Sequence, residues 1–308
     1  MKQPKIIFYS FLISLFLFAC QTEIEVKTPE YYNKLVVEGY IENDEYPIVM
    51  LLRSTPYFST MNIDVLMDSV LISDAIVTVT ADNGESEILQ LDFVEESPLM
   101  IAYTGKTLKG ALNMGYTLKI EWNNKVYTSY TKIFNTFDLD SVWFQSISAR
   151  YDSSANLRIQ MTDKATQTQY YQFKVKVTNS KFQDRVWINT IPAAFDNIVF
   201  RGQTFNYEII RGSPSMLFMP EMSEEDRRDY LRMDYRLGDT VYMKYGQIDF
   251  DAYSFWLSAS SEITFGQNPF MNPSPIYSNI KCNTGEKALG VWSGLAAKTV
   301  RLVFPENK

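Results

Sequence analysis

From Lys34 onward the chain reads as short runs of alternating or β-branched residues cut by turn signals, with no sustained 3.6-residue periodicity, and this pattern leaves little room for anything but a β fold. The first set is Lys34 to Ile41, Ile48 to Arg53, Ala75 to Ala81, Glu87 to Phe93, Met100 to Thr104, Tyr116 to Trp122 and Lys125 to Lys132. Asp82-Asn83-Gly84 and Asn123-Asn124 fall between paired runs, where residues that tolerate the left-handed backbone make tight hairpins. Seven strands in about one hundred residues is the count of an immunoglobulin-like or transthyretin-like β-sandwich, predicted here over residues 34–135. Twenty Tyr and twenty Phe fit a pleated surface that favours aromatic side chains.

The alternation lapses between Phe134 and Asp140, so a second β-rich domain is expected over 136–308. Its strands are Ser141 onward, Asn156 to Met161, Tyr170 to Thr178, Thr204 to Ile210, Thr240 to Tyr245, Ala288 to Trp292 and Lys298 to Phe304. Two short helices interrupt it. Ser223 caps the first, with Asp226 three residues on, and the helix is expected over 223–235. Asp251 is read as the cap of the second, over 252–262, which puts Tyr253, Trp256 and Leu257 on one face.

The N-terminus is a targeting device. Lys2 and Lys5 precede the apolar run Ile6 to Phe18, which is too short to span a bilayer and gives way to polar sequence, so residues 1–19 read as a signal peptide. Leu17-Phe18-Ala19-Cys20 resembles a bacterial lipobox, in which the Cys becomes the lipidated first residue of the mature chain. Residues 20–33 are then a lipidated tether, and two or more acyl chains, at about 0.8 kcal/mol per buried methylene, make the attachment nearly permanent. Glu23 and Glu25 resemble the acidic export signals of surface lipoproteins in Bacteroidota. Removing the signal takes away Lys2 and Lys5 and moves the formal net charge from −7 to −9.

Function classes fall away on composition. The chain has no His, which removes His-based triads, His general bases and imidazole metal sites. Its two Cys, Cys20 and Cys282, make neither a zinc ribbon nor a redox pair, and Cys282 is read as a small buried hydrophobe. The acidic balance, 36 Asp plus Glu against 29 Lys plus Arg, argues against nucleic acid as a partner. Asp138-x-Asp140 and Asp249-x-Asp251 offer paired carboxylates, read as solvated linker acids and a helix cap rather than calcium ligands. Glu221, Glu224, Glu225 and Asp226 suit a helix start. Ser278-x-x-Lys281 has the spacing of a Lys-activated Ser but lacks the accompanying motifs. Trp143, Trp187, Trp256 and Trp292 are assigned to the core, while Tyr57, Phe58 and Phe270 fall in loops and are the candidate interaction residues. No catalytic residue, metal or cofactor is expected.

Several phrases together resemble one family: Lys34-Leu35-Val36-Val37-Glu38-Gly39-Tyr40-Ile41, Leu52-Arg53-Ser54-Thr55-Pro56-Tyr57-Phe58, Ala75-Ile76-Val77-Thr78-Val79, Asn268-Pro269-Phe270, Asn272-Pro273-Ser274-Pro275-Ile276-Tyr277-Ser278-Asn279-Ile280 and Leu289-Gly290-Val291-Trp292-Ser293-Gly294. They are similar to Bacteroidota lipoproteins grouped as domain of unknown function 4249, from about residue 30 to the end. The resemblance implies a cell-surface, lipid-anchored outer-membrane protein that is not an enzyme and serves a TonB-dependent receptor in nutrient capture or uptake. It supplies no catalytic residues, and it leaves the ligand, small molecule or peptide, unspecified. Two alternatives stand beside it: a surface adhesion or structural β-sandwich module, and a hydrolase built on carboxylates.

Overall fold

The computed structural model describes residues 33–55, 64, 66–148, 151–164, 166–214, 222–265 and 275–304. The fold is mainly β. Strands β1 (Leu35–Glu42), β2 (Ile48–Arg53), β3 (Ile76–Ala81), β4 (Ser86–Ile88), β5 (Gln90–Phe93), β6 (Ile101–Thr104), β7 (Gly115–Trp122) and β8 (Lys125–Lys132) build a sandwich. One layer is β1-β2-β6-β5 and the other is β8-β7-β3-β4. Alternation sends Leu35, Val37, Ile41, Val49 and Leu51 of the first layer against Val77, Val79, Leu118, Ile120 and Tyr127 of the second, and these form one buried core. The β7–β8 hairpin turns on Asn123 and Asn124, at φ 49° and 57°, the left-handed geometry that a two-residue loop needs.

After β8 come β9 (Ser141–Ser148), β10 (Tyr151–Thr162), β11 (Tyr170–Thr178), β12 (Ile188–Asp196), β13 (Thr204–Arg211), helix α1 (Glu224–Leu231), β14 (Tyr235–Arg236), β15 (Thr240–Ile248), helix α2 (Phe250–Phe265), β16 (Lys281–Cys282) and β17 (Leu289–Val303). Strands β10 to β15 enclose a second core rich in aromatic rings, including Tyr171, Phe173, Phe195, Phe205, Tyr235 and Tyr245.

The two cores share one sheet. Strand β17 runs fifteen residues, and its first half pairs in parallel with β1, from Val36↔Leu289 to Glu42↔Leu295. Its second half pairs antiparallel with β15, from Gln247↔Ala296 to Thr240↔Val303. The result, among the described residues, is a sheet of 12 strands that passes from the sandwich into the second core. The segment after α2 also returns to the sandwich, where β16 pairs β8 and Ile280, Ala288, Trp292 and Ala296 join the first core. Gly290 makes the parallel pairing possible: it sits at φ 105°, and a Cβ there would lie 1.8 Å from the Val37 carbonyl oxygen.

Several boundaries differ from the sequence expectation. Glu87 to Phe93 is two strands, because the backbone breaks at Leu89 and β4 joins the second layer while β5 joins the first. Helix α1 is capped by Ser223, whose hydroxyl accepts from the Asp226 N–H, but it ends at Leu231, since Tyr235 is needed in β14 and is fully buried. Helix α2 is capped by Asp249 rather than Asp251: the Asp249 carboxylate accepts from the Ala252 N–H at 2.7 Å. The last two expected strands are the single β17, and β12 was not anticipated. Cys282 is half-buried at the edge of the first core rather than fully inside it, with its sulfur 3.2 Å from the Thr284 hydroxyl.

Candidate functional site

Tyr57, Phe58 and Phe270, the lipidation residue Cys20 and the export residues Glu23 and Glu25 all lie outside the described residues. The paired carboxylates are structural. Asp249 accepts from Thr131 and from the α2 backbone, Asp251 accepts from the Tyr277 hydroxyl at 2.7 Å, Asp138 pairs with Lys298, and Asp140 accepts from Thr162 at 2.7 Å. Ser278 and Lys281 do not meet: the Ser278 hydroxyl accepts from the Ile280 N–H, and Lys281 is in β16. Of the four Trp residues assigned to the core, only Trp292 is fully buried; Trp143, Trp187 and Trp256 are half-buried.

What the fold brings together instead is a polar stripe on the face of the shared sheet that turns away from the sandwich core. On β1, Leu35, Val37 and Ile41 point into that core, so Glu38, Tyr40 and Glu42 point the other way. Register places Tyr40 opposite Ser293 and Glu42 opposite Leu295 on β17. On the same face Lys244 of β15 stands opposite Lys174 of β11. Two like charges side by side on a sheet are unfavourable unless something else holds them. Lys244 is held by an ion pair with Glu42, and Lys176, two residues from Lys174, by an ion pair with Glu96 at 2.6 Å. Lys174 has no carboxylate partner among the described residues; its ammonium lies 5.1 Å from the centre of the Tyr40 ring.

Walls rise on both sides of this stripe. Helix α2 brings Trp256 against Val291 and Leu295. Opposite, the loop carrying Glu96 meets the segment carrying Trp187, tied by Arg185, which donates to the Ser97 and Pro98 carbonyls at 3.2 and 2.7 Å. The indole of Trp187 is flanked by Lys244 at 4.5 Å and Lys176 at 5.0 Å. Beside the Glu96 and Trp187 wall is a cleft of about 620 Å³, within the size range of small-ligand sites. It shares Tyr40 and Glu42 with an inner chamber of about 10 Å³, room for a single water-sized particle, lined also by Glu38, Lys174, Ser293 and Trp256.

The groove concentrates polar groups that the protein itself leaves unsatisfied. Among the buried side-chain polar atoms that lack a protein partner among the described residues, two, Trp256 Nε1 and Ser293 Oγ, belong to residues lining the inner chamber. Buried polar atoms are normally paired, so such a concentration marks a place built to meet something else. Ser293 is 4% exposed, and its hydroxyl has no hydrogen-bond partner among the described residues.

Titration follows the same geometry. Glu38 is exposed at the groove, and the protein atoms crowded near it push its carboxyl above the usual range against the opposing charge of Lys174. Crowding likewise pushes Lys174 below the usual lysine range; Lys244 adds to this, and the charges of Glu42, Glu38 and Glu96 oppose it. Burial works to raise Glu96 as well, but the hydrogen bond and charge of Lys176 outweigh it and hold that carboxyl low.

Because the folded Glu38 binds its proton more tightly than the unfolded one, its stability contribution is complete below the ordinary carboxylate range and is lost as pH rises through the folded value. Glu38→Gln removes that loss. Thermal melts are expected to show the variant level with the wild type near about pH 4 and above it near about pH 7; a difference that does not change with pH would contradict the assignment.

The sequence profile described as Domain of unknown function (DUF4249) matches residues 21–301. The chain belongs to that family. The DUF4249 match therefore spans the sandwich, the second core and nearly all of the strand that joins them. No curated protein matches the sequence. Among solved structures the chain is similar to a DUF4785 family protein from Legionella pneumophila subsp. pneumophila str. Philadelphia 1, at 10% identity and a TM-score of 0.20, over 68% of this chain and 52% of that one. The DUF4249 chain thus spans about half the length of that protein.

Of the groove residues, the sequence singles out only Trp187 and Trp256, and both as core. A signal was present, since Glu38-x-Tyr40-x-Glu42 and Gln172-x-Lys174-x-Lys176 each put polar groups on every second position of an otherwise apolar strand. Nothing local says that the two faces meet.

Proposed function

We propose that this protein is a non-enzymatic lipoprotein, anchored through lipid on Cys20 and exposed at the outer-membrane surface, that captures a ligand for a TonB-dependent receptor. The groove across the shared sheet carries this reading: it is lined from both halves of the molecule and holds buried polar groups that have no protein partner among the described residues. The charged leader, its apolar run and the lipobox-like Leu17-Phe18-Ala19-Cys20 support the anchor, and the acidic Glu23 and Glu25 support export to the surface. Tethering a capture site beside a transporter raises the local concentration of ligand at the barrel without any covalent step.

The test is an affinity pull-down of the tagged, lipidated protein from gently solubilised outer membranes, with Cys20→Ser as control. Recovery of a TonB-dependent barrel in near-equal amount, lost in the control, is the expected result. Recovery of the lipoprotein alone, from a preparation in which known complexes survive, would sink the stable-complex reading and bring the adhesion alternative forward.

A further inference from the structure

The two spaces of the groove have opposite preferences. In the inner chamber the Lys174 ammonium, which has no ion pair among the described residues and lies over the Tyr40 ring, stands with the unpartnered Trp256 indole N–H and Ser293 hydroxyl, all three able to donate. Two acids, Glu38 and Glu42, share that chamber. Glu42 is already paired with Lys244, and Glu38 is exposed at the groove, where the charge of Lys174 works on its carboxyl. The chamber admits one polar atom, a size that suits a water in the free protein and a ligand oxygen in the occupied one.

The outer cleft has the other bias. Glu42, Asp44, Glu45 and Glu96 line it against Lys244 alone. With Glu42 answered by Lys244 and Glu96 by Lys176, Asp44 and Glu45 are left with no cationic partner among the described residues. Tyr46 and Trp187 flank these acids and give the cleft apolar ring surface as well.

We infer that the groove takes a ligand with a carboxylate at one end, seated on Lys174, Ser293 and Trp256, and cationic groups along a body that lies in the acidic outer cleft, as a short unblocked basic peptide presents. A neutral sugar would leave Lys174 and Glu45 both unanswered, and an acidic peptide would meet repulsion in the outer cleft. This inference rests on the reading of the groove as a capture site and specifies what it captures.

The experiment is calorimetric titration of the full mature chain in detergent with the free-acid tetrapeptide Lys-Ala-Lys-Ala, its C-terminal amide, and the acidic Glu-Ala-Glu-Ala. The free acid is expected to bind saturably. Amidation, which removes the terminal charge, is expected to weaken it by about tenfold or more, the scale of one hydrogen bond to a charged group. Lys174→Met is expected to weaken the free acid by a similar factor and to leave the amide unchanged, so that the two bind alike. Ser293→Ala, a smaller change, repeats the comparison should Lys174→Met fail to fold. No saturable binding of the free acid, equal binding of acid and amide to the wild type, or tighter binding of the acidic peptide would each overturn the ligand class.

The transporter reading fails separately. Peptides that do not bind to a preparation that still recovers a barrel overturn the ligand class alone. Peptide binding by a protein that recovers no barrel supports the ligand class and counts against the stable complex.

Discussion

Asp184→Ala is expected to cost about 3–5 kcal/mol of folding stability, the usual scale when one member of a buried ion pair is removed and the other is left behind. Asp184 and Arg211 are 0% and 1% exposed in the second core, with Nη2 of Arg211 at 2.8 and 3.0 Å from the two carboxylate oxygens. The arginine also donates to the Tyr230 and Arg232 carbonyls, at 2.8 Å each, and so fixes the end of α1 against β13. Asp184 in turn accepts from the Val177 N–H at 2.8 Å. Removing the carboxylate strands a guanidinium where no water reaches it. The joint replacement Asp184→Leu with Arg211→Met is expected to recover most of the loss, because it removes both charges and fills similar volume. Urea unfolding of the two variants measures this, and a loss under about 1 kcal/mol for Asp184→Ala would show that the pair is not what holds that corner.

Trp292→Ala is expected to have an effect of the same size, about 3–5 kcal/mol, for a different reason. Trp292 is 0% exposed and is the largest fully buried side chain among the described residues. Its indole donates to the Tyr116 carbonyl at 3.0 Å across the sandwich, and its backbone exchanges hydrogen bonds with the Asn279 side chain at 2.8 and 3.0 Å. Truncation therefore opens a cavity and removes the hydrogen bond across the sandwich in the same step. The residue sits on β17, which pairs with both β1 and β15, so the damage is expected to reach both cores. Unfolding followed by tryptophan fluorescence and by far-ultraviolet dichroism should give one shared transition in wild type and variant alike. Two separated transitions in the wild type would mean that β17 does not couple the halves.

Local chemistry explains which parts of this fold could be read in advance. Ile48–Arg53 and Lys125–Lys132 carry their own alternation and their own turns, and both strands have the bounds expected of them. Ser223 is followed by a run of acids that leaves no other reading than a helix start. Strand β12 hid because Pro192 and two Ala interrupt it, and a Pro inside a run argues against a strand unless neighbours supply the pairing. Asp249 and Asp251 are equally good caps in sequence; the choice between them is made by Thr131, which lies more than a hundred residues away and holds Asp249 in place. The groove was hidden for the same reason on a larger scale. Lys174 and Glu38 are ordinary outward residues of their own strands, and only the insertion of β17 between β1 and β15 turns their faces into one wall.

The central claim is that this wall is where the protein meets its ligand, and native mass spectrometry of the full mature chain, purified in mild detergent and incubated with a tryptic peptide pool, tests it most directly. Tryptic peptides carry a free carboxylate beside a basic residue, the charge pattern that the groove presents in mirror image. The account predicts discrete added masses of bound peptide on the wild type and their loss in a folded Lys174→Met variant. Spectra without added mass, or the same added masses on both proteins, would contradict it.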